Sequence, residues 1–379
     1  MSVSVIDRIA DRAFMARAIG LAKKGLFSTM PNPRVGCVLV RDGAVIGEGW
    51  HQRAGEAHAE VNAINAAGAN ARGATAYVTL EPCSHTGKTG PCSEALVAAG
   101  ITRVVYAMQD PNPQVAGRGL EHLRAHGVTV DGPLLEVEAY DLNPGFIRRM
   151  EGGLPLVRCK LAMSVDGRTA MANGQSKWIT GPKARADVQA LRARSCAVIT
   201  GIGSVLCDDS SLTVRDYELQ LENPVLAAEK QPLRVLLDSK QQLSPKAMML
   251  QSTAPVLVVS VCPEPNPALI GADGQMVEQL CLAGADGRVD LRALLRELAR
   301  RQCNEVLVEA GATLSGAFLR EALLDEMVIY MAPKLMGSLA RPLFDLPMHE
   351  MNEYLPLEIT DVRKVGDDWR FTLIPDPEG

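Results

Sequence analysis

The stretch HAEVNAINAAGANARGATAYVTLEPCSHTGKTGPC, residues 58–92, decides how the amino-terminal half of the chain folds. Its alanine-rich run over 59–67 has apolar residues at helical spacing, and ATAYVTL at 74–80 is typical of a buried strand. A proline then precedes CSEALVAAG, which is a favourable start for a second helix. The stretch therefore predicts a helix, a strand and a helix, with polar side chains where these elements begin and end.

The polar side chains of this stretch are of the types found in a catalytic metal site. His58, Cys83 and Cys92 supply imidazole and thiolate, the ligands that zinc prefers, and three protein ligands leave a fourth position open for water. Such a site makes bound water nucleophilic, and Glu60 can move its proton to a departing group. A histidine, a glutamate two residues later and a following Pro-Cys form the signature of zinc deaminases that act on nucleobases.

Two readings of the same residues stay open. Residues two positions apart in a regular helix point to nearly opposite sides. His58 and Glu60 therefore share a site only if the first turn of the helix faces that site. The zinc could also be structural, with His85 as a fourth ligand, or the cysteines could be core thiols. Structural sites usually pair their ligands in short knuckles such as CxxC, which this sequence lacks.

The flanks of this stretch continue an alternation of helices and strands. We expect a helix over 7–26, a hairpin turning at Asp42-Gly43, a strand over 102–108 and a helix ending near 127. Asn32 and His51 are placed at opposite ends of the hairpin. This pattern predicts an α/β domain.

Composition bounds the whole molecule. The 379 residues are 47% hydrophobic, which is enough for two domains with separate cores. A formal charge of −5 with dispersed basic residues argues against nucleic acid and anionic membranes as partners. The charged amino terminus and the scattered cysteines predict a cytoplasmic protein. We place the boundary at a linker over 143–155, which gives domains over 1–150 and 151–379.

The second half contains one informative stretch, EVLVEAGATLSGAFLREALL. A hydrophobic strand delivers Glu309, a turn follows at Gly311, and a helix begins by Leu314. The amino terminus of such a helix favours a phosphate. The absence of GxGxxG argues against a Rossmann site.

The first half resembles the deaminase half of the bifunctional deaminase-reductases of riboflavin biosynthesis. The likeness lies in PNPRVGCVLV, HAE and EPCSHTGKTGPC, where eight residues separate the cysteines instead of the two found in most zinc cytidine and adenosine deaminases. The resemblance implies a cytidine-deaminase-like three-layer α/β/α domain. It also implies substrate contacts for Asn32, His51, His85, Lys88, Asp110 and Asn112. On sequence alone, Asn32 and Asn112 lie between prolines and equally suit turns.

The second half resembles the reductase of the same family in CKLAMSVDGRTA, GIGSVLCDDSSLTVR and LVEAGATLSGAF. The resemblance implies a dihydrofolate-reductase-like α/β fold that uses NADPH, with Lys160 near the reacting sugar; otherwise Lys160 is a lysine extending from a strand edge. Substrate contacts would come from Ser176, Arg192, Leu212, Arg215 and Glu309. Cofactor contacts would come from Ala162, Trp178, Ser204, Asp208, Gly311, Ala312, Thr313, Leu314, Ser315, Gly316 and Ala317.

These observations together predict a bifunctional enzyme. Zinc-dependent hydrolytic deamination of a phosphorylated diaminopyrimidine would precede reduction of its ribosyl chain by NADPH. We expect a small phosphorylated pyrimidine as partner, no nucleic acid or membrane, and a homo-oligomer. The alternatives are a zinc deaminase acting on tRNA and a nucleotide-binding regulator with a structural zinc.

Overall fold

The computed structural model describes residues 5–84, 90–113 and 115–376. The chain divides into two compact units, Met1–Leu154 and Pro155–Gly379. Each unit has its own sheet and its own hydrophobic clusters.

The first unit alternates helices with strands, as its sequence pattern predicts. Its elements are α1 (Val5–Ala22), β1 (Gly36–Arg41), β2 (Ala44–Trp50), α2 (Ala59–Ala67), β3 (Thr75–Val78), α3 (Cys92–Ala98), β4 (Arg103–Tyr106), α4 (Arg118–Ala125), β5 (Thr129–Asp131), α5 (Glu136–Tyr140) and α6 (Pro144–Gly152). Short 3₁₀ turns follow α1 and α2. The predicted helices and the hairpin are thereby confirmed.

A five-stranded sheet in the order β2-β1-β3-β4-β5 forms the middle layer of the first unit. β1 is antiparallel to both β2 and β3, while β3, β4 and β5 are parallel. Alternate residues of β1 enter two clusters: Val38 joins the cluster with α1 and α6, and Leu39 joins the cluster with α2, α3 and α4. The three-layer α/β/α arrangement is confirmed.

The segment predicted to be a linker is mostly the helix α6, and that interpretation of its composition is wrong. Phe146 and Ile147 are buried in the first unit's core. Pro144 occupies the first turn of the helix, and Gly153, at φ 69°, ends it. Proline in the first turn and glycine after the last turn are boundary signals of a helix, and linkers are rich in the same two residue types.

The second unit is built on a larger sheet. Its elements are β6 (Leu156–Ser164), β7 (Arg168–Ala170), α7 (Pro182–Ala193), β8 (Ala197–Gly201), α8 (Ile202–Asp208), α9 (Pro224–Glu229), β9 (Leu233–Leu237), β10 (Val256–Ser260), β11 (Glu278–Cys281), α10 (Leu291–Arg300), β12 (Glu305–Val308), α11 (Ala312–Arg320), β13 (Glu326–Ala332), β14 (Arg341–Pro342), β15 (Leu357–Val365) and β16 (Asp368–Pro375). The stretch GIGSVLCDDSSLTVR, quoted above for its resemblance, contains the helix α8 directly after β8.

The nine-stranded sheet has the order β11-β10-β9-β8-β12-β6-β13-β16-β15. From β8 the chain moves outward through β9, β10 and β11, then returns to place β12 between β8 and β6. These strands are parallel, as is the pair of β6 with β13. The pairs of β13 with β16 and of β16 with β15 are antiparallel. Open sheets bind ligands at the carboxyl ends of strands where the order reverses, which here means the ends of β8 and β12.

In the part of the chain that the structure describes, no helix is both long enough and apolar enough to cross a lipid bilayer.

Candidate functional sites

Three local structures bring the predicted zinc ligands of the first unit together. His58 lies just before α2 with extended backbone (φ −75°, ψ 169°), and Glu60 lies in the first turn of the helix. Because His58 is not itself helical, the two side chains can face one site. Cys83 follows β3 in a loop, and Cys92 is the first residue of α3. The amide of Cys92 donates to Cys83 Sγ over 3.4 Å, and this bond fixes the two ligands relative to each other.

The separations of these atoms suit a tetrahedral metal ion. His58 Nδ1 is 3.6 Å from Cys83 Sγ and 3.3 Å from Cys92 Sγ, and all three ligand atoms lie within 4.8 Å of one another. Zinc bonds of about 2.1 Å to nitrogen and about 2.3 Å to sulfur give tetrahedral ligand separations of about 3.6 Å. The donor set and the spacing therefore fit zinc.

The protonation of this cluster favours a metal and a proton carrier. The hydrogen bond from Cys92 lowers the pKa of Cys83 to about 4, while the same bond raises the pKa of Cys92. Loss of the Cys83 proton, which metal binding requires, is therefore favoured. Burial raises the pKa of Glu60 to about 7, so this carboxyl can gain and lose a proton near neutral pH.

Asn32 and His51 lie together beside the cluster, so their predicted placement at opposite ends of the hairpin is wrong. Antiparallel pairing puts the start of β1 next to the end of β2, and Asn32 Nδ2 lies 3.1 Å from His51 Nε2. Burial lowers the pKa of His51. The neutral ring can then donate from Nδ1 to Ala57 O (3.2 Å) and accept from Asn32. Its ring meets that of His58 edge-on, with centroids 5.1 Å apart.

Asp110 and Asn112 share the loop after β4. Asp110 is buried and accepts from the amide of Asn112 over 2.8 Å. Burial raises the pKa of Asp110 to about 6, with a further contribution from the charge of Glu81. The backbone of Asn112 therefore shapes this turn, since its carbonyl also accepts from the amides of Val115 and Ala116.

Glu81 is a residue whose importance the sequence pattern did not reveal. Its buried carboxylate accepts from the amides of Gly117 and Gly119, both over 2.9 Å, and from that of Asp110 over 3.3 Å. A Cβ on Gly119 would lie 1.9 Å from Pro82 O, so only glycine permits this approach. Glu81 thus joins the loop of Cys83 to the loop of Asp110. Its place directly before Pro-Cys was the available signal.

His85 and Lys88, predicted to contact substrate, lie outside the described residues. The proposal of His85 as a fourth, structural ligand falls there too.

In the second unit, Glu309 gathers two of the predicted cations. It follows β12 and is buried, with Arg192 donating to both its oxygens (2.5 and 2.9 Å) and Lys160 Nζ 3.5 Å away. Burial alone would raise the pKa of Glu309, but Arg192 and Lys160 outweigh it and lower this pKa to about 2. Arg192 therefore has its paired donors on a carboxylate in this structure.

Arg215 is also paired with a carboxylate. Its guanidinium donates to both oxygens of Glu218, over 2.7 and 2.8 Å. Leu212 is buried in an apolar cluster with φ 56°, so any substrate contact from this position comes from its backbone.

Ser176 and Asp208, predicted on separate ligands, are hydrogen-bonded to each other. The Ser176 hydroxyl is 3.1 Å from Asp208 Oδ1. Lys177, a residue that the sequence pattern did not indicate, donates to Asp208 O over 3.0 Å. Trp178 is 66% exposed, with the Arg185 guanidinium 4.4 Å from its ring centre. This loop therefore presents an open aromatic surface next to the end of α8.

The turn over 311–317 begins α11 directly after β12. Gly311, Ala312 and Thr313 are accessible, so the first amides of this helix are available to an anion. Ser315 and Gly316 are buried, and a Cβ on Gly316 would lie 2.6 Å from Asp345 O, so these two residues serve the packing of the helix. Leu314 and Ala317 are half-buried on the same helix, Ser204 lies on α8, and Ala162 lies on β6.

The geometry defines a class. The first unit has the fold and the ligand cluster of a zinc-dependent nucleobase deaminase, and the second is an α/β domain in which the helix α11 begins at the switch point of the sheet. The model of the cytidine and deoxycytidylate deaminase zinc-binding region matches residues 8–108, and the RibD C-terminal domain model matches residues 155–371.

Similar proteins cover the chain from end to end. The Riboflavin biosynthesis protein RibD of Escherichia coli is 47% identical over 368 residues, 96% of this chain and 99% of that one. The structure of Acinetobacter baumannii RibD, form 1, has a TM-score of 0.90 at 48% identity and covers 97% and 99% of the two chains. A Thermotoga maritima diaminohydroxyphosphoribosylaminopyrimidine deaminase/5-amino-6-(5-phosphoribosylamino)uracil reductase has a TM-score of 0.84 at 34% identity, with 97% and 99% covered.

The chain belongs to the RibD family and is a bifunctional deaminase and reductase of riboflavin biosynthesis. The predicted fold class, activities and use of zinc and NADPH are confirmed. The tRNA deaminase and regulator alternatives are not favoured, because the second half matches the RibD C-terminal domain.

Proposed function

We propose that residues 1–150 deaminate 2,5-diamino-6-(5-phosphoribosylamino)pyrimidin-4-one and that residues 151–379 reduce the ribosyl chain of the product to ribityl. The observation that carries the proposal is the cluster of His58, Cys83 and Cys92 beside a buried glutamate, in a chain whose second half has the RibD fold. The name of the Thermotoga maritima relative supports these substrates.

In the first unit, His58, Cys83 and Cys92 would hold zinc, which supplies the Lewis acidity that makes water nucleophilic near neutral pH. Glu60 takes a proton from the attacking water and passes it to the amine that leaves as ammonia, while C=O replaces C–NH₂. Asn32, His51, Asp110 and Asn112 orient the pyrimidine. His85 and Lys88, in the loop between the cysteines, would contact the base and the phosphate.

In the second unit, NADPH supplies the hydride, and the protein binds and orients both reactants. The accessible amides of α11, together with Ala162, Trp178, Ser204 and Asp208, would hold the dinucleotide. The ribose phosphate would lie against Ser176, Arg192 and Arg215, where it competes with Glu309 and Glu218 for guanidinium donors, and Lys160 would lie near the reacting sugar.

Two assays of the purified protein test this proposal. Ammonia release from the diaminopyrimidine should require zinc, and NADPH oxidation should require the deaminated product. Chelation of the metal should abolish the first activity and leave the second intact, since the ligand cluster lies wholly in the first unit. Ammonia release that survives complete zinc removal would overturn the proposed mechanism.

We infer further a homo-oligomer formed through β15, in the cytoplasm. β15 is the outermost strand of its sheet, and Leu357, Ile359 and Val362 on it are exposed. An exposed edge strand can pair with a second copy of itself. Among the described residues, the nine cysteines form no disulfide, as expected in a reducing compartment. Sedimentation of the wild type and of a Val362→Lys variant tests the oligomer: the variant should sediment as a monomer.

A further inference from the structure

Asn143 makes an unusual set of contacts for a residue after the deaminase motif has ended. Its side-chain Oδ1 accepts from the backbone amide of Arg34 over 2.7 Å, and its Nδ2 donates to the backbone carbonyl of Arg34 over 2.9 Å. Both residues are buried, Asn143 to 5% exposure and Arg34 to 4%. The amide side chain therefore pairs with the backbone of Arg34 as a neighbouring strand would.

Asn143 is itself held in place. It directly precedes α6, its carbonyl accepts from the amide of Ile147, and its own amide donates to Tyr140 O over 3.0 Å. The guanidinium of Arg34 donates to the carbonyl of Leu142 over 2.6 Å, which is a third bond between the same two segments. The anchor of this contact is thus the helix α6, whose Phe146 and Ile147 are in the core.

The backbone that Asn143 holds carries the substrate-facing side of the deaminase site. Asn32 lies two residues before Arg34, and the carbonyl of Val35, the next residue, accepts from the amide of His51 over 2.9 Å. Asn32 and His51 are bonded to each other, and His51 meets His58 edge-on. A shift of the Arg34 backbone is therefore passed directly to Asn32 and His51.

We propose that Asn143 is a positioning residue of the deaminase, which sets Asn32 and His51 against the pyrimidine through the backbone of Arg34. The amide side chain of asparagine can accept from the Arg34 N–H and donate to the Arg34 C=O at the same time. The inference rests on the proposed roles of Asn32 and His51. It makes the region after residue 108, where the deaminase zinc-binding match ends, part of the catalytic unit.

The test compares Asn143→Asp with the wild type. Aspartate keeps the size and the acceptor but sets a carboxylate oxygen against the Arg34 carbonyl, which leaves a buried C=O without its donor. We expect KM for ammonia release from the diaminopyrimidine to rise at least tenfold, with kcat per bound zinc within twofold of wild type. NADPH oxidation with the deaminated product should be unchanged. Glu151→Ala, at an exposed position of α6, is the matched control and should behave as wild type.

Hydrogen exchange gives a readout that needs no substrate. The amides of Asn32 and of residues 34–36 should exchange at least tenfold faster in Asn143→Asp, while those of 93–98 in α3 should not change. Faster exchange with an unchanged KM would refute the roles of Asn32 and His51 and, with them, the positioning of substrate by Asn143. Unchanged exchange at Asn32 and 34–36, or a fall in zinc content that matches the fall in kcat, would overturn the inference by showing that Asn143 acts only on general stability. If Asn143→Asp does not fold, Asn143→Ser, which retains a donor and an acceptor, is measured in the same two ways.

Discussion

The two sites of this enzyme treat their charged groups in opposite ways. In the first unit, a histidine and two thiols converge so that their lone pairs meet one point, and a buried carboxyl lies beside them. In the second unit, Glu309 and Arg192 neutralise each other, as do Glu218 and Arg215. The deaminase site is arranged for a cation that comes from outside the chain, whereas the proposed reductase site is held together by its own ion pairs.

The difference has a consequence for binding. A cluster of donors without a cation is unfavourable until a metal arrives, so zinc should stabilise the first unit. The arginines of the second unit are already paired with carboxylates. The binding free energy of a phosphate is therefore only the amount by which its bonds to the arginines exceed those of the carboxylates that it displaces. We therefore expect changes in the first site to affect chemistry, and changes in the second to affect stability and ligand affinity.

Glu60→Gln should cause the largest effect. The glutamine keeps the size of the side chain and cannot carry the proton, so kcat for ammonia release should fall by about 10²- to 10⁴-fold. Zinc content, measured by elemental analysis, and NADPH oxidation should stay at wild-type levels. A Glu60→Gln enzyme that still releases ammonia at the normal rate would remove Glu60 from proton transfer and weaken the contrast between the two sites.

Acid should destabilise the second unit through Glu309. Its pKa is lowered from 4.5 to about 2, so its stabilising contribution is fully present above about pH 4.5 and is lost as the pH falls towards 2. The shift corresponds to a free energy on the order of 3 kcal/mol. Urea unfolding between pH 6 and pH 3, followed by tryptophan fluorescence in a Trp50→Phe background, reports on Trp178 and Trp369 of this unit.

The control for this acid effect is Glu309→Gln. The variant should be less stable than wild type at pH 6, because Arg192 keeps its burial and loses its anion, and its stability should depend less on pH. Equal pH dependence in the two proteins would show that the ion pair does not hold this site together.

Lys160→Met should cause a smaller loss, confined to reduction. The methionine keeps most of the apolar stem and removes the charge that lies 3.5 Å from Glu309. If the ammonium contacts the reacting sugar, the lost charged hydrogen bond lowers kcat/KM for NADPH oxidation by roughly 10- to 100-fold. Ammonia release by the same protein serves as the internal control. Unchanged reduction would leave Lys160 as a lysine that only neutralises Glu309.

Sequence pattern was sufficient where the chemistry is local. His58, Glu60, Cys83 and Cys92 lie within one short stretch, and the elements that carry them follow from apolar spacing and a proline. Sequence pattern was insufficient where one amino-acid composition is compatible with two kinds of local structure. The glycines and prolines of 143–155 suited a linker, but they begin and end a helix, and only the burial of Phe146 and Ile147 distinguishes the two.

The sequence by itself determined the reaction type of the first unit. A metal site with one glutamate needs few residues, and here those residues are close together along the chain as well as in space. Tertiary structure alone decided which side chains support that site. Asn143 reaches Arg34 across 109 positions, and Glu81 joins two loops through the amides of Gly117 and Gly119. In these bonds the partner contributes a backbone amide or carbonyl, a group that does not depend on the side chain. A pattern of side chains therefore does not predict them.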